Sequence, residues 1–141
     1  MEDSVAIQQL MNRYSVSSSR GNIDDVVTTF VPDGIWRIAS LEKTFEGQAA
    51  IRDGLTAFTS QQDYVMQQNA PAVITIDGDS ATATSVVCER GKLARTGNVF
   101  EALGFYVDKL LRTAEGWRFK QRSFELVSMR TFPATGHQAG T

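Results

Sequence analysis

Residues 100–129 read FEALGFYVDKLLRTAEGWRFKQRSFELVSM. Two β-favouring runs flank Thr113-Ala114-Glu115-Gly116, whose small and polar residues suit a tight reversal, so the stretch predicts a long antiparallel hairpin. Each arm is longer than the usual strand of about six residues, and arms of that length curve because twist accumulates and bulges appear along them. The hairpin is therefore expected to form the back wall of something concave.

Its faces carry a second message. In the first arm Leu103, Phe105, Val107 and Leu111 share one face with Lys109, while Gly104, Tyr106, Asp108 and Leu110 share the other. Both faces are largely apolar. One face is expected under helices and the other against a second surface, most simply a partner subunit, which predicts a homodimer through the outer sheet face. In the second arm Trp117 and Phe119 are in phase, but Phe124 and Leu126 have the opposite parity, which predicts a bulge near Gln121–Ser123.

The chain of 141 residues reads as one domain, residues 1–132, followed by a flexible tail, 133–141, without periodicity. Fourteen basic against 16 acidic residues, with no basic block, exclude a phosphate-backbone tracker, so no nucleic-acid partner is expected. Cys88 is the single cysteine, which excludes an intramolecular disulfide and fits a reducing compartment. The N-terminus lacks a signal-peptide pattern and no apolar run reaches membrane-spanning length, so a soluble cytoplasmic protein with no membrane partner is expected.

Before the hairpin, Ser4 can cap a helix with Ile7, Leu10, Met11 and Tyr14 on one stripe, its next turn reaching Ser17 and Ser18. The helix is expected to end at Arg20-Gly21, and Asn22 to cap a second one with Asp25 three residues on. Val31-Pro32-Asp33-Gly34 breaks the pattern before a short strand at Ile35–Ile38, with Leu41 to Phe45 as its hairpin mate. Ile51, Leu55 and Phe58 mark a third helix. Residues 59–70 are rich in Gln, Ser and Asn, Pro71 interrupts before the strand at Ala72–Ile76, which forms a hairpin with Ala81–Cys88 about Asp77-Gly78-Asp79, and Gly91–Asn98 reads as a loop. Helices first and a meander afterwards predict an α+β domain, a cone of N-terminal helices on a curved antiparallel sheet, open at one end to a small apolar molecule.

The sequence holds no metal-ligand spacing, phosphate loop, dinucleotide fingerprint or nucleophile elbow, so no cofactor is expected. His137, the sole histidine, falls in the tail. Tyr14 and Asp108 are the candidate catalytic pair: an aspartate in apolar surroundings is pushed toward its neutral form, and with a tyrosine hydroxyl it could polarise a carbonyl. The alternative puts Asp108 in a salt bridge with Arg112, Arg118 or another sheet arginine. Trp36 and Tyr106 read as pocket wall, joined by Ser18 and Phe124; Gln67, Ser85 and Glu89 are further polar candidates.

The features in this order resemble the SnoaL-like branch of the nuclear transport factor 2 superfamily. The residues that carry the resemblance are Ile7–Tyr14 with Arg20–Asp24, Phe30–Trp36, Phe45–Ile51, Ile76–Ala81 and Tyr106–Asp108 through Gly116–Phe119. The resemblance implies an NTF2-like, cystatin-like cone over about residues 5–130. Relatives similar to steroid delta-isomerase match Tyr14 and Asp108, and their base falls on Ile38. In relatives similar to scytalone dehydratase and the dehydrochlorinases, the aspartate falls on Ser19, one histidine near Gln67 and a second near Ser85. The resemblance thus implies a cofactor-independent isomerase, dehydratase or cyclase acting on an apolar, carbonyl-bearing steroid, terpenoid or polyketide, with its proton acceptor unassigned. The alternative it implies is a non-catalytic ligand-binding or partner-stabilising protein.

Overall fold

The computed structural model describes residues 2–135, so His137 and most of the expected tail lie outside the described residues. Helix α1 (Asp3–Ser19) buries Ile7, Leu10, Met11 and Tyr14, the stripe that helical spacing marks. It begins two residues earlier than expected. Ser4 is inside the helix, and the cap position falls on Glu2, which makes no side-chain capping bond. Helix α2 (Ile23–Thr28) is capped as its sequence predicts, Asn22 Oδ1 accepting from the Asp25 amide at 3.2 Å.

Strand β1 (Phe30–Ile38) pairs with β2 (Lys43–Glu46), and α3 (Gln48–Thr59) follows. Five strands follow: β3 (Gln62–Asn69), β4 (Val73–Asp77), β5 (Ser80–Leu93), β6 (Asn98–Thr113) and β7 (Gly116–Pro133). The sheet order is β2-β1-β7-β6-β5-β3, and β4 also pairs with β5. The sheet is mixed, because β1 lies parallel to β7 where a wholly antiparallel sheet was expected.

The quoted hairpin is β6–β7, reversing over Ala114-Glu115 between the paired Thr113 and Gly116. Its register shifts twice. The first shift, between Lys109 and Leu110, leaves Lys120 unpaired, one residue before the predicted span. It lets Trp117 and Phe119 face inward before it, and Arg122 and Phe124 after it. The second, between Leu103 and Gly104, leaves out Val127. The inward face of β6 is Phe100, Ala102, Gly104, Tyr106, Asp108 and Leu110, all buried, and the outward Leu103, Phe105 and Val107 are exposed.

Two expectations need correction. Strand β5 continues through Gly91 to Leu93, so the turn is confined to the residues just before Asn98. A Cβ on Gly91 would lie 2.5 Å from the Phe100 ring and 2.6 Å from the Tyr64 carbonyl, so this glycine serves strand packing and not a loop. Residues 62–69 form β3 despite their polar composition, since Val65 and Gln67 turn toward the interior.

The closed end of the cone is clasped to the start of α1. Asp3 accepts from Arg112 at 2.7 and 2.8 Å and from Trp117 Nε1 at 3.1 Å, and hydrogen bonding to Arg112 holds its carboxyl down at about 2. Among the described residues no helix is long and apolar enough to cross a membrane.

Candidate active site

The open end of the cone encloses a cavity of about 370 Å³, within the range that holds small organic ligands. Its walls are α1, α3, the end of β1 and the inner face of the sheet. Tyr14, Ser18, Trp36, Ile38, Gln67, Tyr106 and Phe124, all expected at the pocket, do line it. Leu55, Phe58, Leu126 and Met129 add apolar surface. Leu126 follows Phe124 after the first bulge of β7, whereas Met129 could have been placed only by counting both bulges, since each one inverts the facing of every later residue.

Two expected residues stand apart. Asp108 and Ser85 do not line the cavity; they belong to a polar cluster on its far side. Arg122 Nε donates to Asp108 Oδ1 at 3.1 Å, and Arg122 Nη2 donates to Asn69 Oδ1 at 2.7 Å. Asn69 Nδ2 in turn donates to Ser85 Oγ at 2.7 Å. Both members of the Arg122–Asp108 ion pair have fully buried side chains. The arginine is neither Arg112 nor Arg118, because the bulge at Lys120 brings Arg122 into register with Asp108. Burial pushes the Asp108 carboxyl up to about 6 even though Arg122 pulls the other way. Gly104 offers no path for a ligand either, since the Glu125 carbonyl and the Phe124 ring fill the space where its Cβ would stand.

Inside the cavity the polar groups converge on Gln67. Its Nε2 donates to Glu89 Oε2 at 3.0 Å and to the Tyr106 hydroxyl at 2.9 Å. Its Oε1 accepts from Ser15 Oγ at 3.1 Å, and its backbone N–H donates to Ser19 Oγ at 2.9 Å. Every polar group of Gln67's side chain is engaged, which fixes the amide. Ser19 and Gln67, at the positions where the resemblance puts an aspartate and a histidine, are thus bonded to each other, but a hydroxyl and an amide accept no proton near neutral pH.

Glu89, on β5, is the carboxyl that the cavity does present. Burial raises its pKa from the ordinary glutamate value, with the Gln67 hydrogen bond opposing. Burial likewise raises the Tyr14 and Tyr106 hydroxyls, and the charge of Arg122 counteracts it in both. The two tyrosine rings meet edge to face with centroids 5.8 Å apart, and their hydroxyls interact. Among the described residues there is no cluster of three or more histidine, cysteine or carboxylate side chains that could hold a metal.

Residues 1–123 match the family model of the SnoaL-like domain, and the chain belongs to that family. No curated protein sequence matches it. In structure it is similar to a type 2 hexachlorocyclohexane dehydrochlorinase, LinA, with a TM-score of 0.87 at 14% identity over 97% of this chain and 94% of that one. A candidate scytalone dehydratase from Novosphingobium aromaticivorans DSM 12444 gives 0.83 at 19% identity, covering 96% and 92%. A cystatin-like protein of unknown function from Nostoc punctiforme PCC 73102 gives 0.75 at 20%, covering 89% and 91%. These likenesses establish the cone-shaped α+β fold.

Proposed function

We propose that the chain is a cofactor-independent enzyme that moves a proton on a small, largely apolar, carbonyl-bearing molecule. The observation that carries this reading is Glu89: a carboxyl raised by burial, aligned by a fully engaged Gln67, in an apolar cavity beside two tyrosine hydroxyls. Ionised, Glu89 takes a proton from the carbon next to the carbonyl. The Tyr14 hydroxyl, on the same cavity wall system, donates to the carbonyl oxygen as it gathers charge. Return of the proton at another carbon gives isomerisation, loss of a neighbouring leaving group gives elimination, and attack on a second carbonyl gives cyclisation. Steroid, terpenoid and polyketide ketones are the substrate classes that fit these requirements. In this reading Asp108 takes no part in proton transfer.

The test uses 2-tetralone in D₂O, its acidic C–H signals followed by NMR. Exchange accelerated by the protein and lost in Glu89→Gln supports the reading, and equal exchange by the two proteins would sink it. A second reading, a non-catalytic ligand-binding protein, is favoured by the amide and hydroxyl at the Gln67 and Ser19 positions. It predicts a thermal shift with apolar ketones and no exchange.

A further inference from the structure

Arg122 is the largest fully buried side chain among the described residues, yet it does not line the cavity. Its guanidinium carbon lies 3.6 Å from the centroid of the Tyr106 ring, 4.3 Å from that of Tyr14 and 4.5 Å from that of Phe119. Three aromatic faces therefore replace much of its hydration. Asp108 and Asn69 fix its orientation, leaving Nη1 and Asp108 Oδ2 without partners. A cation this deep is costly, and an apolar side chain of similar size would hold the same rings together at less expense. The arrangement calls for a reason beyond packing.

We propose that Arg122 is a positioning residue that keeps a positive charge against the Tyr14 and Tyr106 rings, so that their hydroxyls donate more strongly to a ligand oxygen gathering negative charge. The inference rests on the proposed reading of Tyr14 as the donor to that oxygen, and it narrows the ligand to one whose bound oxygen is enolate-like or phenolate-like. The charges that face the tyrosines come from three strands. Arg122 on β7 favours charge on both hydroxyls, whereas Glu89 on β5 disfavours it in both and Asp108 on β6 disfavours it at Tyr14. Asp108 has a second effect, since its negative charge offsets that of Arg122. Gln67 adds direction: it donates to the Tyr106 hydroxyl, so the Tyr106 proton must go elsewhere, toward Tyr14 or the cavity.

This predicts opposite effects from two substitutions that a packing role would move together. Arg122→Gln removes the cation. Asp108→Asn removes the offsetting anion, while its amide oxygen still accepts from Nε and its amide nitrogen takes the place of the unpartnered Oδ2. The probe is 4-nitrophenol, whose absorbance separates phenol from phenolate, read alongside ultraviolet titration of the protein's tyrosines. A Tyr64→Phe background leaves Tyr14 and Tyr106 as the tyrosines titrated. Expected is an upward shift of tyrosine ionisation and roughly tenfold weaker phenolate binding in Arg122→Gln, one pKa unit being tenfold. Asp108→Asn is expected to move both readouts in the other direction, and Arg122→Lys to recover part of the loss.

Shifts in the same direction, or none, overturn the inference. Should Arg122→Gln fail to fold, Asp108→Asn decides by itself, and should 4-nitrophenol not bind, the tyrosine titration decides. Neither readout needs turnover. A protein inert toward 2-tetralone that still shows the opposite shifts would overturn the proposed reaction and leave the role of Arg122 standing.

Discussion

Along the inner face of β6, Leu110 and Asp108 lie in close-packed protein, whereas Phe100 and Ala102, on the same face of the same strand, look into a cavity. Each end of the cone holds a desolvated carboxyl, Asp108 or Glu89, with its pKa raised by burial. The partners differ. Asp108 meets a guanidinium and is locked into a charged cluster, while Glu89 meets an amide and keeps its reactivity. Burial alone therefore does not make a site; a buried carboxyl becomes chemically useful where its partner is neutral and space remains beside it.

The sharpest way to test this contrast is to truncate one apolar side chain at each end. Phe119 is fully buried against Phe30 and Tyr14, with centroids 5.5 and 5.8 Å away. Phe119→Ala is expected to cost about 3–5 kcal/mol in urea unfolding. Leu126 lines the cavity and is 37% exposed, so Leu126→Ala should cost less than about 1 kcal/mol. Equal costs would mean that the open end is as tightly packed as the closed one.

Next in size is the effect of Glu89→Gln on proton exchange. Loss of a general base is expected to slow it by about 10²-fold or more, with the melting temperature unchanged or raised because a neutral amide is cheaper to bury. The wild-type rate should rise with pH through the raised pKa of Glu89, since the carboxylate is the active form. A rate that falls over that range would make Glu89 the acid instead.

How much of this was legible depended on which physical quantity the sequence encodes. Alternation encodes facing, so the β6 faces, the turn at Ala114-Glu115 and most of the pocket wall could be read from residue order. Depth along a face is not encoded. Tyr106 and Asp108 share one parity, but two residues separate a cavity wall from a closed cluster. The displaced bulge at Lys120 selected Arg122 over Arg112 and Arg118, and strand propensity alone does not fix a bulge to one residue. Strand β3 was missed because its inward residues serve the polar network: Gln67 breaks the apolar alternation by which strands are recognised. Glu89 could be named from residue type but not ranked above Asp108, since ranking needed the partner of each.

The outer face of the sheet differs from the inner in carrying exposed apolar side chains. Phe105 and Val86 sit directly opposite one another on adjacent strands, 39% and 55% exposed, with Leu103 and Val107 extending the patch. Such a surface fits a second copy of the chain, and we propose a homodimer through it. Phe105→Glu should convert a dimer to a monomer in light scattering at micromolar concentration, without change in the circular dichroism spectrum. A wild-type monomer at that concentration would leave the outer face without this role.

The smallest effect is expected from the pH dependence of the Arg122–Asp108 pair. An unfolded aspartate titrates near 3.9, and in the folded protein burial raises Asp108 to about 6. Between these values the folded state holds the proton more tightly, so the contribution of Asp108 to stability is fully present below the unfolded pKa. It is lost as pH rises through about 6. The clasp at Asp3, held down at about 2, works in the opposite sense, losing stability as pH falls, but it is common to wild type and Asp108→Asn. The difference in melting temperature between the two proteins isolates Asp108. Wild type should gain roughly 5 °C or more on Asp108→Asn as pH is lowered from 7 to 4, the rise from about 3.9 to about 6 being worth about 2 kcal/mol in that window, at about 2–8 °C per kcal/mol for a domain of this size. A gain in the opposite direction would show a carboxylate stabilised by its arginine more than it is penalised by burial. The two ends of the cone would then differ in the sign of their carboxyl shifts as well as in their partners.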